Sequence, residues 1–285
     1  MPLIHSYAYN SGGLADFLRS VFAYYVHCRI NEIPYFLWVQ DHPFEFCFKV
    51  QDIPAEFTSN LKLFKDVGST KTEKTEEILR LIKTENCIII SNIFDFVSFR
   101  DLKQYRADFL KFLKLTEPVL TRIEFLRNFY KLEKYNAIHI RLGDKLMKHV
   151  NIPSDIRIKD NLSFNKDLEV SLNFLKNNKP IVIFSDNIEL KDQLKQKNTI
   201  NFGPNTVIDI IVLETKVHHT ALLSIDIISS IDTIAEFFLL GQAETIITIS
   251  SSGFSFWSAF LFNRDLYCIV DGVVRPFIET DLKYK

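Results

Sequence analysis

Glycine is scarce in this chain, with 8 residues in 285, so each glycine cluster carries information. That scarcity excludes collagen-like, linker-like and prion-like classes. An excess of one charge is also missing: 34 basic residues against 35 acidic ones leave a net charge of −1, and no stretch is strongly basic. A dedicated nucleic-acid binder needs a broad basic face, so nucleic acid is not an expected partner. Cysteines are few, at 28, 47, 87 and 268, with no C-x-x-C pair and no histidine pattern nearby. Neither a structural zinc site nor a secreted disulfide scaffold fits that spacing. Long apolar runs are absent as well. Ile88–Ile90 and Ala235–Leu240 fall far short of the ~20 residues that a membrane span needs. The opening Met1-Pro2-Leu3-Ile4-His5 lacks a basic start and an apolar core, so no signal peptide is expected. A reduced, cytoplasmic protein without a membrane span is the default reading.

What is present is a large core. Hydrophobic residues make up 47% and charged ones 24%, close to the globular norm, and 26 Phe dominate the aromatics. At roughly 150 residues per domain, the length suggests about two domains. Leu3–Ala8 reads as a strand ending in Asn10-Ser11-Gly12-Gly13. Leu14, Phe17, Leu18, Val21, Phe22, Tyr25 and Val26 then recur at helical spacing. Strand, glycine turn and helix open a Rossmann-like unit. Tyr35–Val39 and Cys87–Ser91 read as further strands, with a polar loop and one exposed helix over 66–86. Thr116-Glu117-Pro118 carries the cap-and-proline signature of a helix start, and a long helix is expected over 117–134. The domain boundary is placed on that helix. In the second half, strands at Ala137–Leu142, Ile181–Ser185, Thr199–Phe202, Thr245–Ser250 and Leu266–Val270 alternate with helices at 165–177, 187–196, 232–242 and 254–262. That alternation implies βαβ units and a parallel sheet. The expected fold class is α/β, with two Rossmann-like domains facing a cleft.

Parallel α/β sheets bind ligands beyond the carboxyl ends of their strands, and four polar clusters fall at such ends here. The first, Gly12-Gly13-Leu14-Ala15-Asp16, would let a ligand approach backbone N–H groups, or would simply be a tight turn. It is neither a dinucleotide fingerprint nor a P-loop. The second is AIHIRLGDK, residues 137–145. Strand alternation puts His139 and Arg141 on one face and Ile138, Ile140 and Leu142 on the other. A guanidinium held at a strand end suits a bidentate phosphate contact, and an ion pair with an aspartate is the plain alternative. In the third, IVIFSDN, Ser185 and Asp186 could meet a ribose or base, or serve to cap the next helix. The fourth, TISSSGFSF, sets Ser251, Ser252, Gly253 and Phe254 at a helix start, a neutral phosphate cradle of N–H and hydroxyl donors. No G-x-S-x-G elbow is present, which disfavours a hydrolase serine. His218-His219 are adjacent rather than four apart, so a shared metal is not expected. The Phe254, Phe256, Trp257 and Phe260 cluster reads as core, with one ring able to line a site.

In order and wording these clusters resemble the fucosyltransferase superfamily of GT-B fold. The resemblance rests on the Gly12-Gly13 turn, on His139-x-Arg141-x-Gly143-Asp144 against an H-x-R-x-D type motif, on Phe184-Ser185-Asp186, and on Ser251 to Trp257. It implies transfer of a sugar from a nucleotide donor, usually GDP-fucose, with inversion and without an obligate metal or other cofactor. The acceptor would be a glycan or glycoprotein. Residues 1–125 would form the acceptor side and 126–285 the donor side. Arg141 would hold the β-phosphate, His139 would lie against the nucleotide, Asp186 would bind base or ribose, and Ser251 and Ser252 would contact the diphosphate. The absence of a stem and anchor fits a bacterial or virus-encoded type. Leu142 follows Arg141 where many members have a second arginine, so other donors, UDP-xylose among them, stay open. A non-catalytic nucleotide- or glycan-binding module is the alternative from another class. A nucleotide-dependent oxidoreductase lacks its G-x-G-x-x-G. Asp16, Asp144 and Asp155 are candidates for the base that deprotonates the acceptor, with Asp144 favoured through its tie to the arginine motif.

Overall fold

The computed structural model describes residues 2–6, 13–39, 42, 44–49, 51–57, 62–66, 72–84, 87–91, 99–141, 161–176, 179–197, 199–201, 207–217, 226–249 and 252–278. By contacts the chain divides into two units. One comprises Met1–Thr116 with Thr220–Ile227, the other Glu117–His219 with Ile228–Lys285. The first unit ends ahead of the helix on which the sequence reading places the boundary.

In the first unit β1 (Leu3–Ser6), β2 (Tyr35–Trp38), β3 (Lys62–Asp66) and β4 (Cys87–Ser91) form a parallel sheet in the order β2-β1-β4-β3. The β-branched and aromatic residues of β1, β2 and β4 suit such a sheet. Helix α1 (Leu14–Ile30) joins β1 to β2, and α2 (Thr72–Thr84) joins β3 to β4. The apolar spacing of α1 predicts a single buried stripe, yet the helix is buried more widely. Tyr24 and Cys28 pack with Leu3 and Ile89 of the sheet and with Ile78 and Ile82 of α2. Elsewhere on α1, Phe17 packs against Phe44 and Phe48, and Phe22 and Tyr25 meet Phe109 of α3 (Arg106–Phe112). Each such ring taken from water contributes about 1.5–3 kcal/mol, which makes α1 the spine of its unit.

The second unit opens with α4 (Glu117–Phe129), whose Val119, Ile123 and Leu126 are buried as the sequence stripe predicts. A seven-stranded sheet follows, built from β5 (Asn136–Ile140), β6 (Ile181–Ser185), β7 (Thr199–Asn201), β8 (Val207–Val212), β9 (Thr245–Thr248), β10 (Asp265–Val270) and β11 (Val273–Pro276). Its order is β11-β10-β9-β5-β6-β8-β7. Five strands are parallel, but β7 pairs antiparallel with β8 and β11 antiparallel with β10. An all-parallel sheet is therefore corrected to a parallel core with an antiparallel strand at each edge. The reason is loop length: tight links such as Asp271-Gly272 permit a hairpin and leave no room for a crossover helix. Asp271, at φ +52°, and Gly272, at φ +74°, are both left-handed, the pairing that a two-residue hairpin turn of primed type requires.

Helices cover both faces. Ile138, Ile140, Ile181, Ile183, Ile247 and Ile269 share one core cluster with Leu168 and Leu172 of α5 (Asn161–Leu175) and Leu190 and Leu194 of α6 (Ile188–Lys197). Alternation sends His139 to the opposite face, where α7 (Ile227–Gln242) and α8 (Gly253–Phe262) contribute Phe237 and Phe254. No helix among the described residues is long and apolar enough to cross a membrane.

Candidate functional site

From β5 the chain proceeds to β6 and β8 on one side, then returns through α7 to β9 and β10 on the other. The strand order thus reverses between β5 and β9, and ligand crevices of open α/β sheets lie at the carboxyl end of such a switch point. Register places His139 beside Thr248 of β9, and Ile140 beside Ser185 of β6. Three of the four polar clusters therefore end on adjacent strands.

His139 is 4% exposed. Its Nδ1 lies 2.6 Å from Ser255 Oγ, and Ser255 in turn donates to Thr248 Oγ1 at 3.2 Å. Phe254 stacks on the imidazole, with ring centres 5.2 Å apart and planes 13° from parallel. Burial above all, with the Arg141 and Lys191 charges, pushes the His139 pKa down to about 3, so the ring is neutral. Arg141 is the first residue past β5. Its Nε lies 4.0 Å from Asp186 Oδ2, with the two side chains 22% and 12% exposed. That separation is an ion pair too long for a hydrogen bond between these two atoms.

Ser185 and its neighbours divide their roles. The Ser185 hydroxyl accepts from Asn187 N–H at 3.1 Å, and Asn187 Oδ1 accepts from Leu190 N–H at 2.7 Å. Asn187 is thus the cap of α6, while Asp186 turns to Arg141. The start of α8 behaves differently. Ser252 occupies the N-cap position in extended backbone, yet its side chain makes no cap bond. The residue is 1% exposed, and its hydroxyl has no hydrogen-bond partner among the described residues. A buried hydroxyl left unbonded costs about 1–3 kcal/mol. It sits where the unbonded N–H groups of a first helical turn favour an anion.

In the first unit, Asp16 stands in the opening turn of α1 and its Oδ2 accepts from Gly13 N–H at 3.3 Å, a capping role. Gly12, Asp144, Asp155 and Ser251 lie outside the described residues, as do His218 and His219.

Sequence reasoning missed a second group of polar residues, beyond β6 and β8. Lys191 of α6 donates to Thr215 O at 3.1 Å, Thr215 Oγ1 at 2.8 Å and Glu236 Oε1 of α7 at 2.6 Å. Thr215 also donates to Glu236. Lys191 and Glu236 side chains are 4% and 1% exposed, and burial raises the Glu236 pKa while Lys191 and Thr215 pull it down. One turn away on α7, Asp232 accepts from Arg122 Nε at 2.7 Å and from Lys216 N–H at 2.7 Å. The signal in sequence was Asp232 and Glu236 at a four-residue spacing within a helix that has no other charged residue.

A chain of two parallel α/β units, with its polar strand ends gathered at a switch point, has the GT-B type of fold. Solved structures with this fold include NodZ, an α-1,6-fucosyltransferase of Bradyrhizobium, co-crystallised with GDP: TM-score 0.61 and 13% identity over 97% of this chain and 98% of that one. An Arabidopsis thaliana FUT1 mutant in complex with GDP is similar at TM-score 0.60 and 10% identity, over 94% of this chain and 70% of that one. POFUT1 in complex with GDP-fucose reaches TM-score 0.51 and 11% identity, over 92% and 95%. No protein-family model matches the sequence, and no curated protein matches it.

Proposed function

We propose that the protein is an inverting glycosyltransferase that moves a sugar from a nucleotide-sugar donor to a hydroxyl of a glycan or glycoprotein. The observation that carries this reading is Ser252: a buried, unbonded hydroxyl at the amino end of α8, beside the switch point. A diphosphate there would meet that O–H, the first-turn N–H groups and the Arg141 guanidinium at the end of the adjacent strand. GDP-fucose is the favoured donor, because the fold is shared with NodZ co-crystallised with GDP and POFUT1 in complex with GDP-fucose. In the transfer, the sugar–phosphate bond breaks and its electron pair leaves with the diphosphate. The acceptor oxygen attacks from the opposite face of the sugar and gives its proton to a carboxylate. Asp144 is the proposed base, with Asp16 and Asp155 the other candidates.

Arg141 and the α8 terminus would stabilise the leaving charge that a cation stabilises in other transferases, and the sequence holds no D-x-D. Transfer is therefore expected to continue in excess chelator. Loss of transfer that manganese restores would overturn the metal-free step.

Thermal shift against GDP, UDP and their sugars tests the reading at its base. A ligand at 100 times its Kd adds about 2.7 kcal/mol of stability. Transfer to a glycan is then followed by mass spectrometry. A response to UDP alone moves the donor to a sugar such as UDP-xylose, and binding without transfer makes the protein a module rather than an enzyme. Ser252→Ala is expected to leave the melting temperature of the free protein unchanged or higher. The same variant should weaken GDP binding about 10- to 100-fold, the size of one lost hydrogen bond to a charged group. Equal GDP affinity in Ser252→Ala would place the diphosphate elsewhere.

A further inference from the structure

Helix α4 shows solvent two large aromatic side chains, Phe125 at 51% and Phe129 at 62% exposure. Their rings stack on each other, with centres 5.6 Å apart and planes 19° from parallel. Both rings are braced. The Arg122 guanidinium lies 5.4 Å from the centre of the Phe125 ring. Arg122 is itself held, donating to Asp232 at 2.7 Å and to Glu214 O at 2.9 Å. Phe129 meets Tyr130 edge to face at 4.8 Å, and the Tyr130 hydroxyl accepts from Glu214 N–H at 2.9 Å. An aromatic pair already held in one arrangement loses little freedom when something covers it. Adjacent exposed aromatic rings of this kind belong to interface centres rather than to solvated faces.

The charges beside the rings say what would cover them. Glu117, Glu124 and Lys131 recur every seven residues, a spacing that keeps them along one edge of the helix. All three are exposed, and none has an ion-pair partner among the described residues. The edge is thus acidic toward its amino end and basic at its carboxyl end. We infer that this face of α4 is the contact between two copies of the chain, packed antiparallel about a two-fold axis. Phe125 of each copy then lies against Phe129 of the other, and Glu124 comes opposite Lys131 within one residue of the same register. Symmetry makes every such pair occur twice, with the four phenylalanines as the apolar centre and the charges as the rim. A parallel arrangement would set Glu124 against Glu124, so the charge pattern selects the antiparallel one. Helix α4 spans about 20 Å, so the contact belongs to the small class and should dissociate on dilution. None of these residues belongs to the proposed donor site, and the inference stands apart from that reading.

Sedimentation velocity of the full chain, at concentrations on both sides of about 10 μM, tests the pairing where a small interface changes occupancy. The wild type is expected to pass from monomer to dimer across that range. Phe129→Ser should stay monomeric, and Glu124→Lys should weaken association about tenfold or more by setting like charges face to face. Glu124→Lys combined with Lys131→Glu reverses both ends of the pair and should restore the wild-type association. These changes fall on exposed side chains, and circular dichroism with melting temperature checks the fold of each variant. A wild type that is monomeric throughout overturns the inference, and needs no variant to fold. So does a dimer that Phe129→Ser or Glu124→Lys leaves unchanged, or a reversed pair that fails to restore it. A monomer that binds chitohexaose, and loses it in Phe129→Ser, would make the rings a sugar-stacking plate and overturn the second copy as occupant.

Discussion

Lys191→Met is expected to destabilise the second unit by about 3–5 kcal/mol at pH 7, because it leaves Glu236 buried without its cation. The methionine keeps the apolar stem and volume, so the loss reports on charge rather than on a cavity. Two hydrogen bonds to Thr215 go with the ammonium, and Asp232, one turn away, adds its own repulsion to the stranded carboxylate. The pH dependence follows from the direction of the Glu236 shift. Its pKa is already above the ordinary carboxylate value through burial, and Lys191 is what pulls it back. Without Lys191 it rises further. The unfolded chain then gives up this proton at lower pH than the folded one, so stability falls as pH climbs from the unfolded value through the folded value. The penalty of Lys191→Met should accordingly be largest at neutral pH and shrink toward pH 4–5. Urea unfolding at both pH values measures it. A second change, Glu236→Leu in the Lys191→Met background, should recover much of the loss, since a buried pair replaced by apolar side chains is often neutral. A loss below about 1 kcal/mol would mean that water reaches the pair.

That buried pair also marks the limit of what the sequence makes legible. β1, β4, β5, β6 and β9 are readable because each is a short β-branched run followed by a polar or glycine break. Cys87–Ser91 and Ile181–Ser185 match residue for residue. The helices following β1 and β9 are readable from apolar spacing after a glycine. β3, Lys62–Asp66, was not, since two lysines and an aspartate in five residues look like a loop. β8, Val207–Val212, was hidden for another reason: it follows β7 through a short link, where alternation of strands and helices leads one to expect a helix. Helix α7 begins at Ile227, ahead of the expected 232, because Ser229 and Ser230 read as breakers but are buried against the protein.

The site divides along the same line. Motif order along the chain brought out His139, Arg141, Ser185, Asp186 and Ser252, and the sheet register puts their strand ends side by side. Division of labour among them was not legible. That Asn187 rather than Ser185 caps α6, or that Ser255 rather than Ser252 bonds His139, depends on side-chain geometry between elements far apart in sequence. Lys191 and Glu236, separated by 45 positions, are each unremarkable on their own helix and meaningful only together.

Arg141 is the residue on which loss of activity should be greatest. Arg141→Ala and Arg141→Lys are both expected to reduce kcat/KM for the donor about 10²–10³-fold, the size seen when one preorganised stabiliser of developing charge is removed. Lysine should not rescue, because a point charge cannot reproduce the planar two-pronged contact with a phosphate. Stability should change little. The Arg141–Asp186 pair is separated by 4.0 Å and remains partly exposed, and such pairs contribute about 0–1 kcal/mol. Position supports the larger catalytic role: Arg141 is the first residue past the end of β5, the strand beside β9 that leads to Ser252, and its charge is felt by the buried His139 ring. The decisive comparison is between the ground state and the transition state. If the contact strengthens as the sugar–phosphate bond breaks, kcat falls more than GDP affinity, whereas a contact of equal strength in both states would raise KM alone. Steady-state kinetics, with GDP binding and melting temperature measured on the same preparations, separates these cases. Transfer by Arg141→Ala at near wild-type rate, in a folded protein, would reduce the arginine to an ion pair with Asp186 and remove the phosphate contact from the proposed reaction.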